Sequence, residues 1–382
     1  MRILHLCLSN FYFDGYNYQE NALVRQNHAD GHTVMIIAST ETNTEEQKIE
    51  YAKPSEYFTE FGVPIKRIPY VQVGTDYLTR KLRFYPHLYQ EIENFGPDVI
   101  MSHGLAFGSV LSLKRYINDH PDVKLYADTH SAAYNSGRNW LSLHILHRLF
   151  YKYLIQKTMP YVEKYFYIGE EEKQFSLRNY GIDAEKMEYY PLGGTIFSDE
   201  DYQKYRNEKR HELQVQDDEI LIVHSGKMGP GKRTAELLRA FKAAPDLKAR
   251  LCIIGSLPET VRDEILKLIQ DDARVSYLGW KSGSELQKYL CAADLYAQPG
   301  TVSATAQNAV CCNSALLLYP HEDYVCHYDY GNIFWAKSEA DMEKIFFDMQ
   351  EGKVDLKKMS EGSRKCAGTM LDYKKLAARL YR

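Results

Sequence analysis

The residues Gly226-Lys227-Met228-Gly229-Pro230-Gly231-Lys232 could do chemistry on an anion. They follow a short apolar run, Ile220–Val223, that suits a buried strand. They precede apolar residues at Leu237, Leu238 and Phe241, a spacing that predicts a helix from Arg233 onward. A helix that opens after a glycine-rich turn offers unpartnered N–H groups and the positive end of its dipole to a phosphate. Lys227 and Lys232 flank the turn and can close on one phosphate group from two directions. The spacing also satisfies GxxxxGK, the phosphate loop of nucleoside triphosphatases. That loop continues with Ser or Thr to hold Mg²⁺, whereas Arg233 stands here and Thr234 comes one place late. The next apolar run, Leu251–Ile254, ends in Gly255 rather than in the Asp of a Mg²⁺ site. The triphosphatase reading is therefore weak, and a turn carrying two solvated lysines is the plain alternative.

The elements needed to position such a loop recur along the chain. Met1–Ser9 reads as a strand, Tyr18–Ala29 as a helix ended by Gly31, and Thr33–Ala38 as the next strand. This β–loop–α–β opening is that of a doubly wound domain. Glu41–Glu60 is polar and acidic and reads as a surface excursion. Further strands are expected at Ile65–Ile68, Val99–Ser102, Val123–Asp128, Lys164–Ile168 and Met187–Pro191. Thr75–Glu93 is basic and aromatic, and reads as an exposed helix face in preference to a lipid-binding surface. Arg138–Met159 reads as a helix whose face of Trp140, Leu141, Ile145, Leu149 and Tyr153 packs on the core, with membrane docking as the alternative. His144 and His147 have a metal-like spacing without further ligands nearby, and read as part of that helix's polar face. After a linker and polar helix, roughly Gly193–Asp218, strands are expected at Ile220–Val223, Leu251–Ile254, Val275–Leu278, Ala293–Ala297 and Ala315–Leu318. Asp199-Glu200-Asp201 contains DxD but follows no apolar strand, and reads as a charged helix start.

Several segments resemble, in order, the family-four retaining glycosyltransferases of the GT-B fold. GKMGPGK resembles their G-[RK]-x-x-x-x-K loop, Gly31-His32-Thr33-Val34 their G-H-x-V, and Pro97–His103 their P-D-[VI]-[IV]-x-x-H. Gly279, after Val275–Leu278, and Ala293–Pro299 resemble the f-L-G-x-v and A-D-[VL]-x-[VL]-x-P segments. The resemblance implies two doubly wound Rossmann-like α/β domains facing across a cleft, with a last helix crossing back to the first domain. The expected divisions are 1–195 for the acceptor side, 196–360 for the nucleotide-sugar side, and 361–382 for the returning helix. It further implies that Lys227 and Lys232 hold the donor diphosphate, with Ser303 and Thr305 adding hydroxyls. Gly279, Trp280 and Lys281 then meet the base, and Asn308 takes the ribose position. Gly15 and Tyr16 stand where the family has a glycine pair for acceptor and sugar. His130, at the carboxyl end of a strand, takes the sugar-facing catalytic position, with His103 as the weaker rival.

The chief departure is the pair of glutamates that the family spaces as E-x7-E. Matching Asn308-Ala309 to the second Glu-Ala puts Gly300 at the first position, and anchoring on Pro299 puts Ser303 there. Neither alignment supplies a carboxylate. A loss of activity, leaving a partner subunit that binds or stabilises an active transferase, is thus the second reading, and a sugar-nucleotide epimerase on the same fold the third.

The 382 residues carry a net charge of −4, which argues against general nucleic-acid binding. Seven cysteines without a CxxC pair suggest a reducing compartment, and the apolar run Ile3–Leu8 is short for a signal peptide. The expectation is a cytoplasmic enzyme with a nucleotide diphosphate sugar as donor, no cofactor and no metal. Its acceptor would be a glycan, lipid-linked or small-molecule hydroxyl, and peripheral contact with the inner membrane face is compatible with the basic-aromatic segments. Tyrosine is unusually frequent, at 31 residues.

Overall fold

The computed structural model describes residues 1–16, 18–43 and 49–381. Asn17 of the aromatic loop and residues 44–48 of the acidic excursion lie outside the described residues. The chain forms two compact units, Met1–Pro191 with Tyr373–Arg382, and Leu192–Asp372.

The first unit is built on eight strands. They are β1 (Arg2–Cys7), β2 (Thr33–Ser39), β5 (Ser55–Phe58), β6 (Pro64–Ile68), β7 (Val99–Ser102), β8 (Lys124–Thr129), β9 (Lys164–Tyr167) and β10 (Met187–Tyr189). Between β2 and β5, β3 (Glu41–Asn43) and β4 (Ile49–Tyr51) form a separate antiparallel ribbon. The sheet order is β10-β9-β8-β7-β1-β2-β6-β5, parallel except for the edge strand β5. Apolar runs such as Val99–Met101 are needed because helices cover both faces of a parallel sheet. Each buried Leu or Ile side chain contributes about 1.5–3 kcal/mol, so the runs fix which residues become strands. The chain steps outward from β1 through β2 to β6, then returns to the other side of β1 with β7. That reversal opens a crevice at the carboxyl ends of β1 and β7, where ligands bind in open α/β sheets.

The second unit has β11 (Ile220–Lys227), β12 (Ala249–Ser256), β13 (Val275–Tyr277), β14 (Leu295–Gln298), β15 (Ala315–Leu318) and β16 (Ile333–Trp335). Their order, β13-β12-β11-β14-β15-β16, is that of a doubly wound dinucleotide fold, with its reversal between β11 and β14. The acidic start at Asp199 is the first turn of helix Asp199–Glu212, capped by the Ser198 hydroxyl.

After helix Leu356–Cys366 in the second unit, the chain from Tyr373 joins the first. There Tyr190 donates a hydrogen bond to the Leu376 carbonyl at 2.8 Å, and the Arg379 guanidinium lies over the Tyr190 ring. The helix after Trp140 is wound as a π-helix over Leu141–Tyr151 before becoming α-helical over Lys152–Thr158. Its Trp140, Leu141, Leu149 and Tyr153 are 61–67% exposed, not packed on the core. The wider turn gives the core to Leu143, Leu146, Phe150, Tyr151 and Ile155. His147 is likewise turned inward, 2.7 Å from the Tyr180 hydroxyl, rather than onto a polar face. Thr75–Glu93 is not one exposed helix. Asp76–Leu82 and Leu88–Phe95 are separated by left-handed residues at Arg83 and His87, and Tyr85 and Leu88 enter the core.

Tyrosines account for much of the large side-chain volume inside, including Tyr12, Tyr116, Tyr151, Tyr165, Tyr180 and Tyr190. Several keep their hydroxyls satisfied: Tyr85 donates to the Leu8 carbonyl at 2.8 Å and Tyr289 to Glu212 at 2.6 Å.

Candidate active site

In the second unit, β11 carries the glycine-rich loop to the sheet reversal. Gly226 has φ +132°, a backbone conformation that side chains disfavour. Lys232 folds back over it, since a Cβ there would lie 3.8 Å from Nζ. Pro230–Lys232 form a single 3₁₀ turn, and the helix starts at Thr234, one residue later than the spacing predicts. Arg233 is left-handed, and its guanidinium donates to Glu236 and to the carbonyls of Pro299 and Lys337. The Thr234 hydroxyl is buried, 2.9 Å from His224 Nε2. The side chains at both positions where a triphosphatase would need its Mg²⁺ hydroxyl are therefore engaged within the protein.

Burial alone lowers the pKa of Lys232. His224, beneath the loop, is buried, and its Nδ1 donates to the Ala297 carbonyl at 2.7 Å. Burial, opposed by that carbonyl and aided by the Lys232 charge, holds its pKa down at about 4. The floor of the loop is thus neutral, and the lysine charge is left for a ligand.

The loop after β14 packs directly on this one. Thr301 N–H donates to the Gly231 carbonyl at 3.0 Å. A Cβ on Gly300 would stand 2.0 Å from that same oxygen and 2.8 Å from Lys232 Cα. No side chain fits at Gly300, so a carboxylate cannot stand there. Its carbonyl accepts from His321 Nε2 at 2.9 Å. Ser303 caps helix Ala304–Cys311: its hydroxyl accepts from Thr305 N–H at 3.3 Å. Its own N–H donates to the Tyr324 hydroxyl at 2.8 Å. Thr305 and Asn308 are half-buried on that helix, and Asn308 faces Gly194. Gly279, Trp280 and Lys281 follow β13, beside the end of β12, where Gly255 N–H donates to the Gly279 carbonyl at 2.8 Å. Trp280 is 73% exposed, a free ring at the carboxyl edge of the sheet.

In the first unit, the loop after β1 carries Gly15 and Tyr16 on the side of β6 and β5. Gly15 is left-handed at φ +75°, with open space where a Cβ would be. Tyr16 stacks on Tyr18 with ring centroids 5.0 Å apart. Asp14 is tied to Arg67 at 2.8 Å and to the Tyr57 hydroxyl at 2.7 Å. A surface cavity of about 240 Å³ is lined by Tyr12, Asp14, Gly15, Tyr57, Thr59 and Glu60.

His130 follows β8 directly. Its ring keeps 22% exposure, but Nε2 is buried without a hydrogen-bond partner. Nε2 lies 3.7 Å from Asp128 Oδ2 and 4.0 Å from Glu20 Oε1. Burial disfavours its charge, yet Asp128, then Glu20 and Glu172, outweigh that and raise its pKa to about 9. His103 is fully buried and hydrogen-bonded to both His5 and Asp128, so its ring nitrogens are both occupied.

Asp128, Glu20, His5, His224, His321 and Tyr324 were not singled out from sequence. The signal for three of them was present: His5, Asp128 and His224 are ionisable residues inside apolar strands, where a polar group must find a partner or a role. Glu20, His321 and Tyr324 carry no such mark.

Among the described residues, no helix is long and apolar enough to cross a membrane. The profile described as Glycosyltransferase Family 4 matches residues 21–193, and that described as Glycosyl transferases group 1 matches residues 205–365. None of the curated proteins compared with the chain matches it in sequence. The fold is similar to the Anabaena protein HepE in complex with UDP, at TM-score 0.63 and 14% identity over 99% of this chain and 98% of that one. It is similar to a glycosyltransferase from Rickettsia africae, at TM-score 0.62 and 12% identity over 99% and 96% of the two chains. It also resembles WaaG, a glycosyltransferase involved in lipopolysaccharide biosynthesis, at TM-score 0.60 and 15% identity over 99% of each chain. With two matched profiles in order along the chain and a GT-B architecture in both units, the chain belongs to the family-four-type glycosyltransferases of the GT-B fold.

Proposed function

We propose that the chain transfers a glycosyl group from a nucleotide diphosphate sugar to a hydroxyl acceptor, with retention of configuration and without a metal ion. The observation that carries this is the pair Lys227 and Lys232 on a glycine-rich loop at the reversal of a doubly wound sheet, over the neutral His224. Two ammonium groups there neutralise the leaving diphosphate, the role a divalent cation would otherwise fill. HepE and the E. coli trehalose-6-phosphate protein, similar in fold, were solved with UDP and UDP-2-fluoro glucose, which supports a nucleotide sugar as the ligand. His130 presents an N–H to the sugar, Trp280 stacks on the base, and the loop at Gly15 and Tyr16 borders the acceptor. A place in bacterial polysaccharide or glycoconjugate synthesis agrees with the similarity to WaaG.

The exposed stripe of Trp140, Leu141, Ile145, Leu149 and Tyr153 supports peripheral contact with an anionic membrane face. No Asp or Glu occurs from Thr129 to Val162, whereas Arg138, Arg148, Lys152 and Lys157 do. Cosedimentation with phosphatidylglycerol vesicles, lost in Leu141→Glu/Leu149→Glu, tests that part.

The test of the main reading is thermal stabilisation by a panel of UDP-, GDP-, ADP- and CDP-sugars. One nucleotide should raise the melting temperature in wild type and not in Lys232→Ala, and turnover with that donor should persist in EDTA. Equal stabilisation of wild type and Lys232→Ala would remove the diphosphate assignment. The closed position at Gly300 favours a second reading, a donor-binding partner subunit with little turnover of its own. Donor binding without turnover, together with a stable heteromeric partner, would establish it.

A further inference from the structure

Behind His130 lies a line of buried polar groups that donor binding does not call for. Asn27 Oδ1 is 2.9 Å from His5 Nε2, His5 Nδ1 is 3.0 Å from His103 Nε2, and His103 Nδ1 is 2.7 Å from Asp128 Oδ2. Asp128 Oδ1 accepts from Gly104 N–H at 2.9 Å, and Oδ2 is also the oxygen 3.7 Å from His130 Nε2. His5, His103 and Asp128 are fully buried on three adjacent parallel strands or at their ends, β1, β7 and β8. The loops that bring them together are locked: Asn10 N–H donates to the His103 carbonyl at 2.9 Å, and a Cβ on Gly104 would meet Ser9 Oγ at 2.7 Å.

We propose that Asp128 is the positioning residue of His130. With His103 fixed behind it, its carboxylate holds a proton on His130 Nε2, so that the ring stays a cation and offers its other N–H to the ligand. This rests on the reading of His130 as the sugar-facing residue. A buried carboxylate is tolerated only when paired, and Asp128 has two histidines competing for one oxygen. His103 already sits at hydrogen-bond distance, and His130 waits a short ring movement away, with its buried Nε2 otherwise unpartnered. Burial, then the charge of His103, keeps His5 neutral with a pKa of about 3, so His5 is an uncharged brace for His103. The other groups around His130 are accounted for. Glu20 faces it from helix Gln19–Ala29, and Glu172, which accepts from the Tyr134 hydroxyl at 3.2 Å, from helix Glu170–Phe175. Cys7, Tyr165 and Tyr190, packed near Asp128, are held protonated by burial.

The test is the titration of the His130 ring in the full chain labelled with ¹⁵N-histidine, with His130→Gln to assign its signals and no nucleotide present. In wild type the ring should remain protonated through pH 8, with a midpoint near 9. In Asp128→Asn the midpoint should fall toward the ordinary value, so that the protonated fraction at pH 8 drops about 30-fold. His103→Phe removes the competing donor and should leave the midpoint at or above that of wild type. A purely structural Asp128 would not give these opposite responses. An unshifted midpoint in Asp128→Asn overturns the proposal. So does a fall to the ordinary value in His103→Phe or in Glu20→Gln, and those two variants decide the matter if Asp128→Asn does not fold. Because the ring is read without nucleotide, a protein that binds no nucleotide sugar refutes the functional reading while the titration still judges Asp128.

Discussion

Gly300→Ala isolates the packing of the two loops that frame the proposed diphosphate site. The added Cβ would sit 2.0 Å from the Gly231 carbonyl oxygen and 2.8 Å from the Cα and carbonyl carbon of Lys232. These are backbone atoms, so no side-chain rotation relieves the overlap, and one loop must move by roughly 1 Å to reach an ordinary carbon–oxygen separation. Overpacking of this kind costs about 1–3 kcal/mol. For a unit of this size that is a fall in melting temperature of roughly 2–12 °C. The segment that moves carries Lys232, so the Kd for the nucleotide sugar should rise at least tenfold, about 1.4 kcal/mol. The control is Gly229→Ala in the same loop. Gly229 has φ −70° and ψ 170°, open to any residue, and nothing within 4 Å of an added Cβ. Alanine there should be neutral or stabilise by about 0.4–1 kcal/mol through the unfolded chain. Melting curves and isothermal titration of both variants give the comparison. If Gly300→Ala melts and binds like Gly229→Ala, the two loops do not touch as described, and the explanation for the absent carboxylate falls with them.

Three further outcomes follow from the structure. Stability should peak near neutral pH. Burial holds His5 at about 3 and His147 and His224 at about 4, so the unfolded chain binds more protons below about 6.5, and their contribution is lost as pH falls from there. His130, raised to about 9, contributes in the opposite sense: its part is complete below about 6.5 and lost as pH rises through 9. Urea unfolding across pH 4 to 10 checks both limbs, and a profile flat from pH 4 to 7 would contradict the buried neutral histidines. Trp280→Ala should weaken donor binding by about 1–3 kcal/mol through lost base stacking, with little change in melting temperature because the ring is exposed. Calorimetry on the wild type and variant measures it. Tyr190→Phe removes the hydrogen bond to the Leu376 carbonyl and should cost about 1–3 kcal/mol, seen as a lower melting temperature and faster proteolysis after Asp372.

The sequence alone determined the central parallel strands and the glycine-rich loop, but not β3, β4, β5 or β16. A parallel strand covered on both faces reads as a near-continuous apolar run, and a loop that turns sharply before a helix favours glycine; both are local demands, visible at Val99–Met101, Ile220–Val223 and Gly226–Lys232. The helix after Trp140 misled because apolar residues occur on two of its faces, and only the π-wound backbone and its neighbours choose which is inside. Tertiary structure alone decided why Gly300 is glycine, since the oxygen that excludes a side chain comes from Gly231, far away in the chain. It alone assembled Asp128, His103 and His5 behind His130, because electrostatic partners are chosen by strand order, and β7 lies beside β1 although β2 to β6 come between them in the chain. Local pattern fixes what each segment becomes. The charge environment of a residue depends on which segments the sheet sets side by side.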